Sequence, residues 1–376
     1  MPNNQFRTTV RRVLALRLAY SQAATKKFDA IRQRQYGGRV MDTLQFCGAS
    51  RTGRWAGRGI QLQNLKRTPK DADEIADLLC ENPWWFEQIR SLEDLGSIVR
   101  SAFTAPDGKR LVVADLSSIE SRVLGCLTGC RWINRTFEQG LDTYSAFAQI
   151  WLKILYDEVD KATRDLCKPP FLGFGFGIGA AGLKKYADSM GVEMTEDQCQ
   201  SAIETARKVC HEVPDFWRRI EAAFRFVVQS GNPVRVRPQG VLLAIEGRFL
   251  TITLPSGRKL YYDSPEYDPE TGECAFMGQN QYTGKWERIV TWGGKLTENL
   301  CQAIARDVLA HGMLRYEEEG GTVIGHVHDE VIAEEDADRA EDWLRTLNAC
   351  LSETPEWMPG LLLGSEGYVS RRYRKA

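Results

Sequence analysis

One stretch joins a short apolar run to a helical pattern: Leu111-Val-Val-Ala-Asp-Leu-Ser-Ser-Ile-Glu-Ser-Arg-Val-Leu-Gly-Cys-Leu-Thr128. The apolar residues 111–114 predict a buried strand that delivers Asp115 to its end. Ser118 is the predicted N-cap of the helix that follows. The apolar face of that helix consists of Ile119, Val123, Leu124 and Leu127. One carboxylate at a strand end is a weak signal by itself, because turns favour Asp.

A second acidic position lies far downstream, in Thr322-Val-Ile-Gly-His-Val-His-Asp-Glu-Val-Ile-Ala-Glu334. Asp329 stands there between two alternating apolar runs, as at the tip or edge of a β-hairpin. Two acidic strand ends that converge would hold a pair of divalent metal ions for phosphoryl or nucleotidyl transfer. The pairing of Asp115 with Asp329 is therefore the working hypothesis for the chain.

Composition sets the limits for this hypothesis. A chain of 376 residues, 43% hydrophobic and 26% charged, predicts a globular protein of two or three subdomains. No apolar run approaches the ~20 residues that span a bilayer, and the N-terminus lacks an apolar signal core. Ten cysteines without a CxxC pair and four histidines do not favour a zinc site and indicate a reduced, cytoplasmic protein, in the host cytoplasm if viral. A net charge of −1 gives no overall basic signature for nucleic acid, although a local basic groove would suffice.

The stretch Asp115-Leu-Ser-Ser-Ile-Glu-Ser-Arg122 resembles motif A of the family A DNA polymerases, and His328-Asp329-Glu330 resembles their motif C. Three further motifs in the family's order extend the similarity over roughly residues 40–335. In its general character the sequence is most similar to bacteriophage members of the family. The resemblance implies an α+β fold with right-hand polymerase architecture. Such a fold has an antiparallel-sheet palm and helical fingers, and the thumb expected in this chain is short, helical and truncated.

Residues 163–182 carry Arg164 and Lys168 four positions apart, hence on one face of a helix. Two cations on one face suit a triphosphate, while an ordinary basic helix face is the alternative. The spacing Arg-x3-Lys-x4-Gly-x3-Gly resembles motif B, the fingers helix that closes over the nucleotide. Leu172 and Phe176 stand where the family has Phe or Tyr and then Tyr. Pro169-Pro170 predicts a kink or a late helix start.

The resemblance also implies roles at the reaction centre. Asp115, Asp329 and the backbone carbonyl of Leu116 would hold two Mg²⁺ ions, with Glu330 behind them. Lys168 would protonate the leaving group. The residues implied to contact the incoming nucleotide are Arg164, Lys168, Leu172, Phe176, Glu120, Tyr144 and Ser118.

The role of Glu120 is qualified by a departure from the family, and Tyr144 and His328 each have two alternative roles. Glu120 stands where DNA polymerases block a ribose 2′-hydroxyl, but Phe176 lacks the hydroxyl that steadies this residue in the family. Tyr144 stands where the family has a His, and its hydroxyl either contacts phosphate or packs. His328 either approaches the primer end or is a core histidine.

A Gly-rich, basic loop, Gly53-Arg-Trp-Ala-Gly-Arg-Gly-Ile-Gln-Leu-Gln-Asn-Leu-Lys-Arg67, has the amides and guanidinium groups that suit phosphates and minor-groove base edges. It resembles the family loop that grips the primer–template. The implied DNA contacts are Arg54, Gln63 and Asn64, with Asn299, Gln302 and His328 further on.

The domain prediction has four parts: a partial thumb helix (1–45), a palm segment with the primer–template loop and motif A (46–130), helical fingers (131–232) and a second palm segment (233–376). Helices are predicted at 8–35, 71–103, 195–230 (interrupted by Pro214), from Gly293 onward, and at 336–351. Residues 71–103 are predicted to form amphipathic helices with Asp71 as the N-cap and Trp84-Trp85-Phe86 in the core, and Gly37-Gly38 ends the helix at 8–35. Strands are predicted in 234–290, and no residue pattern there indicates a catalytic or binding role.

The predicted function is a template-directed DNA polymerase that extends a primer 3′-hydroxyl with dNTPs on primer–template DNA and releases pyrophosphate. No exonuclease domain fits before the first helix, so no proofreading is expected. A metal-dependent nuclease also needs paired carboxylates but not the cations of motif B. A single-subunit RNA polymerase shares the architecture but not Glu120, and an inactive DNA-binding module would not need both Asp115 and Asp329. A processivity partner is not predicted by the sequence.

Overall fold

The structure is a computed structural model that describes residues 25–66, 68, 71–81, 98–281 and 283–374. A four-stranded antiparallel sheet lies at its centre, in the order β12-β13-β5-β14. The bounds of these strands are β5 (Lys109–Leu116), β12 (Val323–Val327), β13 (Glu330–Asp336) and β14 (Ser365–Ser370). The two stretches that carry Asp115 and Asp329 are therefore neighbours in one sheet.

Strand β5 is buried on both faces, which explains its nearly continuous apolar sequence. On one face Val112, Ala114 and Leu116 join the main core. On the other face Leu111 and Val113 pack in a smaller cluster with Val327, Ile332 and Tyr373. The predicted strand is confirmed, and it runs beyond the apolar residues to include Asp115.

Helices cover the main-core face of this sheet. The longest of the described helices, α10 (Gly293–Glu318), is buried along much of its length and packs against α3 (Ile119–Thr128), α9 (Glu212–Ser230) and α11 (Ala340–Ser352). The helices in chain order are α1 (Thr25–Arg34), α2 (Ala72–Glu81), α3 (Ile119–Thr128), α4 (Arg131–Glu138), α5 (Thr143–Trp151), α6 (Lys161–Phe174), α7 (Ala180–Ser189), α8 (Glu196–Val209), α9 (Glu212–Ser230), α10 (Gly293–Glu318) and α11 (Ala340–Ser352). Within the described part of the chain, no helix has the length and apolar character needed to cross a membrane.

The predicted strands of residues 234–290 form a second sheet, an antiparallel meander in the order β11-β10-β9-β8-β7-β6. Its strands are β6 (Val234–Val236), β7 (Val241–Glu246), β8 (Phe249–Thr253), β9 (Lys259–Tyr267), β10 (Cys274–Gln279) and β11 (Trp286–Thr291). Helix α9 packs against it. Two small hairpins precede the central sheet, made of β1 (Gln35–Tyr36) with β2 (Arg39–Val40) and β3 (Leu44–Gln45) with β4 (Ala56–Gly57).

Several predicted element boundaries are wrong. Gly37 and Gly38 form the turn of the β1–β2 hairpin, because α1 already ends at Arg34. The break in 195–230 falls between α8 and α9, whereas Pro214 sits in the first turn of α9, where a missing amide costs little. The last helix begins at Ala340, because the residues before it belong to β13 and its following turn.

Part of the N-terminal helix prediction and Trp84-Trp85-Phe86 lie outside the described residues. The part of the 8–35 helix that the structure describes is α1, and helix α2 follows Asp71 as predicted.

The second sheet is fastened to α10 by a buried charge cluster. Arg258, in the β8–β9 turn, donates to the Asp307 carboxylate at 2.8 Å and to the Ala303 carbonyl at 3.0 Å. Asp307 also accepts from Ser256 Oγ at 2.5 Å and from Arg306 at 3.1 Å, and its side chain is only 5% exposed. Buried carboxylates need such partners, so this cluster fixes the sheet on the helix.

Asp307→Asn should lower the free energy of unfolding by about 1–3 kcal/mol, because it removes the charge from a buried acceptor of several hydrogen bonds. Urea unfolding of both proteins measures the difference. The control is Asp42→Asn, which removes a carboxylate that also pairs with two arginines but lies on the surface, and it should have a much smaller effect. An equal decrease in the free energy of unfolding in the two variants would contradict the claim that burial makes the Asp307 cluster stabilising.

Candidate active site

The two acidic strand ends converge. Strands β5 and β13 are antiparallel with Asp115 opposite Glu330, and the Leu116 amide donates to the Asp329 carbonyl at 3.0 Å. His328 and Asp329 form the turn between β12 and β13, as the hairpin pattern predicts. Asp115 and Asp329 are both half-buried, so each residue remains partly accessible to solvent.

Glu330 lies on the same sheet face as Asp115, since directly opposed residues of an antiparallel pair share a face. It is buried, and its carboxylate accepts a hydrogen bond from the Tyr373 hydroxyl. That hydroxyl in turn accepts from Arg100 at 2.8 Å. Burial and the charge of Glu330 raise the pKa of Tyr373, so the hydroxyl keeps its proton for this bond. The hydrogen bonds from Arg100 to Tyr373 and from Tyr373 to Glu330 therefore fix the position of the Glu330 carboxylate.

The turn from β5 into α3 is held differently from the prediction. Ser118 occupies the N-cap position but has a left-handed backbone (φ 54°), and its side chain makes no capping hydrogen bond. Arg122 fixes the turn instead, donating to the Ser117 carbonyl at 2.7 Å and to the Leu362 carbonyl at 3.0 Å. Its guanidinium also lies 4.0 Å from the centre of the Phe137 ring.

An open cleft of about 460 Å³ lies beside these strand ends. Seven of its lining residues are among those predicted for the site: Arg54, Ser118, Glu120, Tyr144, Leu172, His328 and Asp329. Ile119 and Ser121 complete the lining. The cleft thus brings together residues from the Gly-rich loop, α3, α5, α6 and the β12–β13 turn, which are far apart in the chain.

Glu120 forms an ion pair across the cleft wall. Arg54 donates from Nη2 to Glu120 Oε1 at 2.7 Å, and its Nε donates to the Gln302 carbonyl at 3.3 Å. The side chains of Arg54 and Glu120 are 22% and 31% exposed. The Gly-rich loop, α3 and α10 therefore meet at one guanidinium group.

The cations of α6 lie over the ring of Tyr144, at 5.0 Å for Arg164 and 6.0 Å for Lys168. Arg164 makes a two-pronged contact with Asp142, at 2.8 and 3.0 Å, and Lys168 pairs with Asp165 at 3.0 Å. Burial would raise the pKa of Asp142, but hydrogen bonds from Arg164 and Ser145 outweigh it and lower that pKa. Asp142 also caps α5, so it joins the two helices.

Tyr144 both packs and faces the cleft. It is 8% exposed, and its ring meets Phe171 edge to face at 6.0 Å. Burial, with the charge of Asp142, raises the pKa of its hydroxyl to about 12. The hydroxyl is therefore a proton-bearing donor at neutral pH.

Helix α6 begins at Lys161 and runs without interruption through Pro169 and Pro170, so the prediction of a late helix start is wrong. Both prolines are buried, and the packing around them offsets the lost backbone hydrogen bonds. The helix ends at Phe174, which leaves Phe176 in the turn beyond it. Phe176 packs against the main core and is not part of the cleft lining.

The predicted DNA contacts divide into two groups. Gln63 lines a small recess that adjoins the cleft through Arg54 and His328, and the side chain of Asn64 is exposed. Gln302 contributes its backbone carbonyl to Arg54. Asn299 is buried and donates to the Tyr262 hydroxyl at 3.1 Å, so the structure does not bring its side chain to the cleft.

The core histidine is His326 rather than His328, which is exposed. The His326 ring contacts the Trp55 ring edge to face, with 4.5 Å between the ring centres. The Arg306 guanidinium lies 4.1 Å from the centre of the same Trp55 ring. Burial, the charge of Arg306 and the adjacent His328 lower the pKa of His326 to about 4. His326 is thus neutral at neutral pH.

Sequence reasoning missed three positioning residues. Arg122 lies inside the motif A stretch, two positions after Glu120, and its place in that motif was a usable signal. Asp142 gave no signal, because an Asp just before a helix is an ordinary N-cap; in the structure it also pairs with Arg164. Arg258 gave no signal, because a basic residue in a Ser-Gly-Arg turn is ordinary; in the structure it also donates to the Thr52 carbonyl at 2.9 Å and so holds the Gly-rich loop.

The fold matches that of a polymerase domain of known structure, the POL domain of Pol1 from M. smegmatis in complex with DNA primer-template and dNTP. The TM-score is 0.60 at 19% sequence identity, over 92% of this chain and 50% of that chain. This match confirms the predicted α+β fold with antiparallel sheets.

The family model of DNA polymerase family A matches residues 7–228, and the chain belongs to that family. It is 34% identical to the DNA polymerase of Bacillus phage SP02, over 98% of this chain and 58% of that protein. It is 26% identical to the thermostable DNA polymerase I of Thermus aquaticus, over 66% of this chain and 25% of that protein. The chain therefore spans just over half the length of the phage relative.

The low pKa of His326 predicts a pH-dependent stability. The unfolded chain protonates this imidazole near pH 6.5, whereas the folded chain does so near pH 4. The stabilisation is therefore complete above about pH 6.5 and is lost as the pH falls towards 4, by about 2 kcal/mol between pH 7 and 5.

His326→Phe should make the free energy of unfolding fall less steeply over this range, as measured by urea unfolding at each pH. The control is His211→Gln, at the exposed start of α9, which should leave the slope unchanged. Parallel curves for wild type and His326→Phe would contradict the assignment.

Proposed function

We propose that this chain is a template-directed DNA polymerase that extends a primer 3′-hydroxyl with dNTPs and releases pyrophosphate. The observation that carries the proposal is the hydrogen-bonded meeting of the Asp115 and Asp329 strand ends beside a cleft that α6 borders with Leu172. The family and the complex of the structural neighbour with DNA primer-template and dNTP support it.

The proposed division into parts follows the elements. Residues 46–130 and 233–376 form the palm, because the central sheet takes β5 from the first segment and three strands from the second. Residues 131–232 form the fingers, which contain α4 to α9. Residues 1–45 are assigned to the thumb.

The residues at the strand ends fit a divalent metal by their chemistry. Two half-buried carboxylates, on Asp115 and Asp329, and the backbone carbonyl of Leu116 are hard oxygen ligands, which Mg²⁺ prefers. Among the described residues, no group of three or more His, Cys, Asp or Glu side chains is placed to hold a metal ion, so the proposed ligands are two carboxylates and one backbone carbonyl. Two Mg²⁺ ions, when bound, would acidify the primer hydroxyl and neutralise the triphosphate.

Side chains of α3, α5 and α6 in and next to the cleft bind and orient the nucleotide in this proposal. Arg164 and Lys168 attract the triphosphate, and Lys168 gives a proton to the departing pyrophosphate oxygen. The Tyr144 hydroxyl donates a hydrogen bond beside them. Leu172 packs against the sugar, and Glu120 occupies the space that a ribose 2′-hydroxyl would need.

The primer–template contacts come from the rim of the cleft. Arg54, Gln63 and Asn64 present a guanidinium group and two amides, and His328 lies at the turn that carries Asp329. These groups suit phosphates and minor-groove base edges. A nuclease would use the same carboxylate pair, but it has no need for the cations of α6.

Asp115→Asn and Asp329→Asn should each abolish primer extension while duplex binding stays nearly unchanged, because metal ligation and duplex contacts use different side chains. Gel-resolved extension and fluorescence anisotropy measure the two properties. The control is Asp336→Asn, at the far exposed end of β13, which should extend primers normally. Extension above a trace by either variant would contradict the metal assignment.

Arg164→Ala and Lys168→Ala should each lower kcat/KM for the nucleotide by about 10- to 100-fold, since each removes a charge-assisted phosphate contact. Lys161→Ala removes an exposed cation from the first turn of the same helix and should keep the wild-type value. Wild-type kinetics in both test variants would show that the resemblance to motif B is accidental.

A further inference from the structure

Exclusion of ribonucleotides by Glu120 requires that its carboxylate be held still. A Glu side chain has several rotatable bonds, and immobilising it carries an entropic cost that some partner must offset. Phe176 has no hydroxyl for this purpose, and it lies beyond the end of α6, outside the cleft lining. The structure offers a different partner.

That partner is Arg54. Its Nη2 donates to Glu120 Oε1 at 2.7 Å, a distance typical of a charge-assisted hydrogen bond. The guanidinium is itself restrained, because its Nε donates to the Gln302 carbonyl at 3.3 Å. The side chains of Arg54 and Glu120 are only 22% and 31% exposed, so solvent screens this ion pair less than a pair on the surface.

The backbone that carries Arg54 is also fixed. The Arg54 amide donates to Thr52 Oγ1 at 3.3 Å, and the Arg54 carbonyl accepts from the Ala49 amide at 3.0 Å. The Thr52 carbonyl accepts from Arg258 at 2.9 Å, and Arg258 is anchored on Asp307. A continuous set of hydrogen bonds therefore runs from the core of α10 to Glu120.

We propose that Arg54 is the positioning residue that holds Glu120 for sugar discrimination, in place of a tyrosine hydroxyl on the fingers helix. This inference rests on the proposed function. Without the ion pair, Glu120 can turn away from the cleft and leave room for a 2′-hydroxyl, so ribonucleotides gain relative to deoxynucleotides. Arg54 lies in the loop implied to contact the primer–template, so one guanidinium group would connect primer binding and sugar selection.

A second side chain near Glu120 provides the competing explanation. Burial raises the pKa of Tyr186, on α7, and the negative charge of Glu120 adds to this rise. Tyr186→Phe therefore tests whether a tyrosine rather than Arg54 steadies Glu120.

The experiment uses the full chain in single-nucleotide primer extension and measures the ratio of kcat/KM for dCTP to kcat/KM for CTP. Arg54→Met should lower this ratio by about 10-fold or more, the value expected for loss of one charge-assisted hydrogen bond. Arg54→Lys should restore part of it. Any weakening of primer–template binding affects both nucleotides alike and cancels in the ratio.

Two further variants separate the ion pair from bulk and from the loop. Glu120→Gln keeps the side-chain volume but removes the charge, and it should also lower the ratio. Arg54→Met combined with Glu120→Gln should lower it no further than either change alone, because both remove the same interaction. The control is Arg58→Met, in the same loop, whose side chain pairs with Asp42 and should leave the ratio at the wild-type value.

The outcomes are distinguishable. If the wild type does not extend the primer, the proposed function fails and this inference fails with it. If the wild type extends the primer but Arg54→Met and Glu120→Gln keep its sugar ratio, only the inference is overturned. A lowered ratio in Tyr186→Phe with none in the Arg54 variants overturns it as well. Should Arg54→Met not fold, Arg54→Lys and Glu120→Gln decide by the same ratio.

Discussion

The hydrogen bond from the Leu116 amide to the Asp329 carbonyl joins the ends of β5 and β13, and the cleft is built around that junction. The register places Asp115 opposite Glu330, on the sheet face away from the main core. A slip of one residue would turn Asp115 into that core, where an unpaired charge costs several kcal/mol. The register of β5 against β13 therefore determines on which face of the sheet Asp115 lies.

This junction could be predicted from the sequence because its determinants are local. The apolar run before Asp115 and the alternation around Asp329 each define a strand within a few residues, and the order of the motifs supplied the pairing. The helix through Pro169 and Pro170 could not be predicted in the same way. Its continuity depends on burial of both prolines against distant residues, which overrides the local preference.

The ion pairs around the site could not be predicted either, because their partners are far apart in the chain and each charge alone resembles a solvated surface group. Arg54 and Glu120 are 66 positions apart, and Arg258 and Asp307 are 49 apart. The balance of 49 basic and 50 acidic residues hides this arrangement. Cations and carboxylates are matched locally at the cleft, so net charge carries little information about nucleic-acid binding.

The sheet of residues 234–291, which showed no chemistry in the sequence, is connected to the site through Arg258. That side chain contacts Asp307 and Ala303 on α10 and Thr52 on the Gly-rich loop. Two residues beyond Thr52, Arg54 contacts α10 again at Gln302 and reaches Glu120 on α3. Because two arginines fasten the loop to the same helix, α10 cannot shift relative to the loop without breaking contacts at both. The second sheet thus stabilises the wall of the cleft, and through these contacts it is coupled to the site of Asp115 and Asp329.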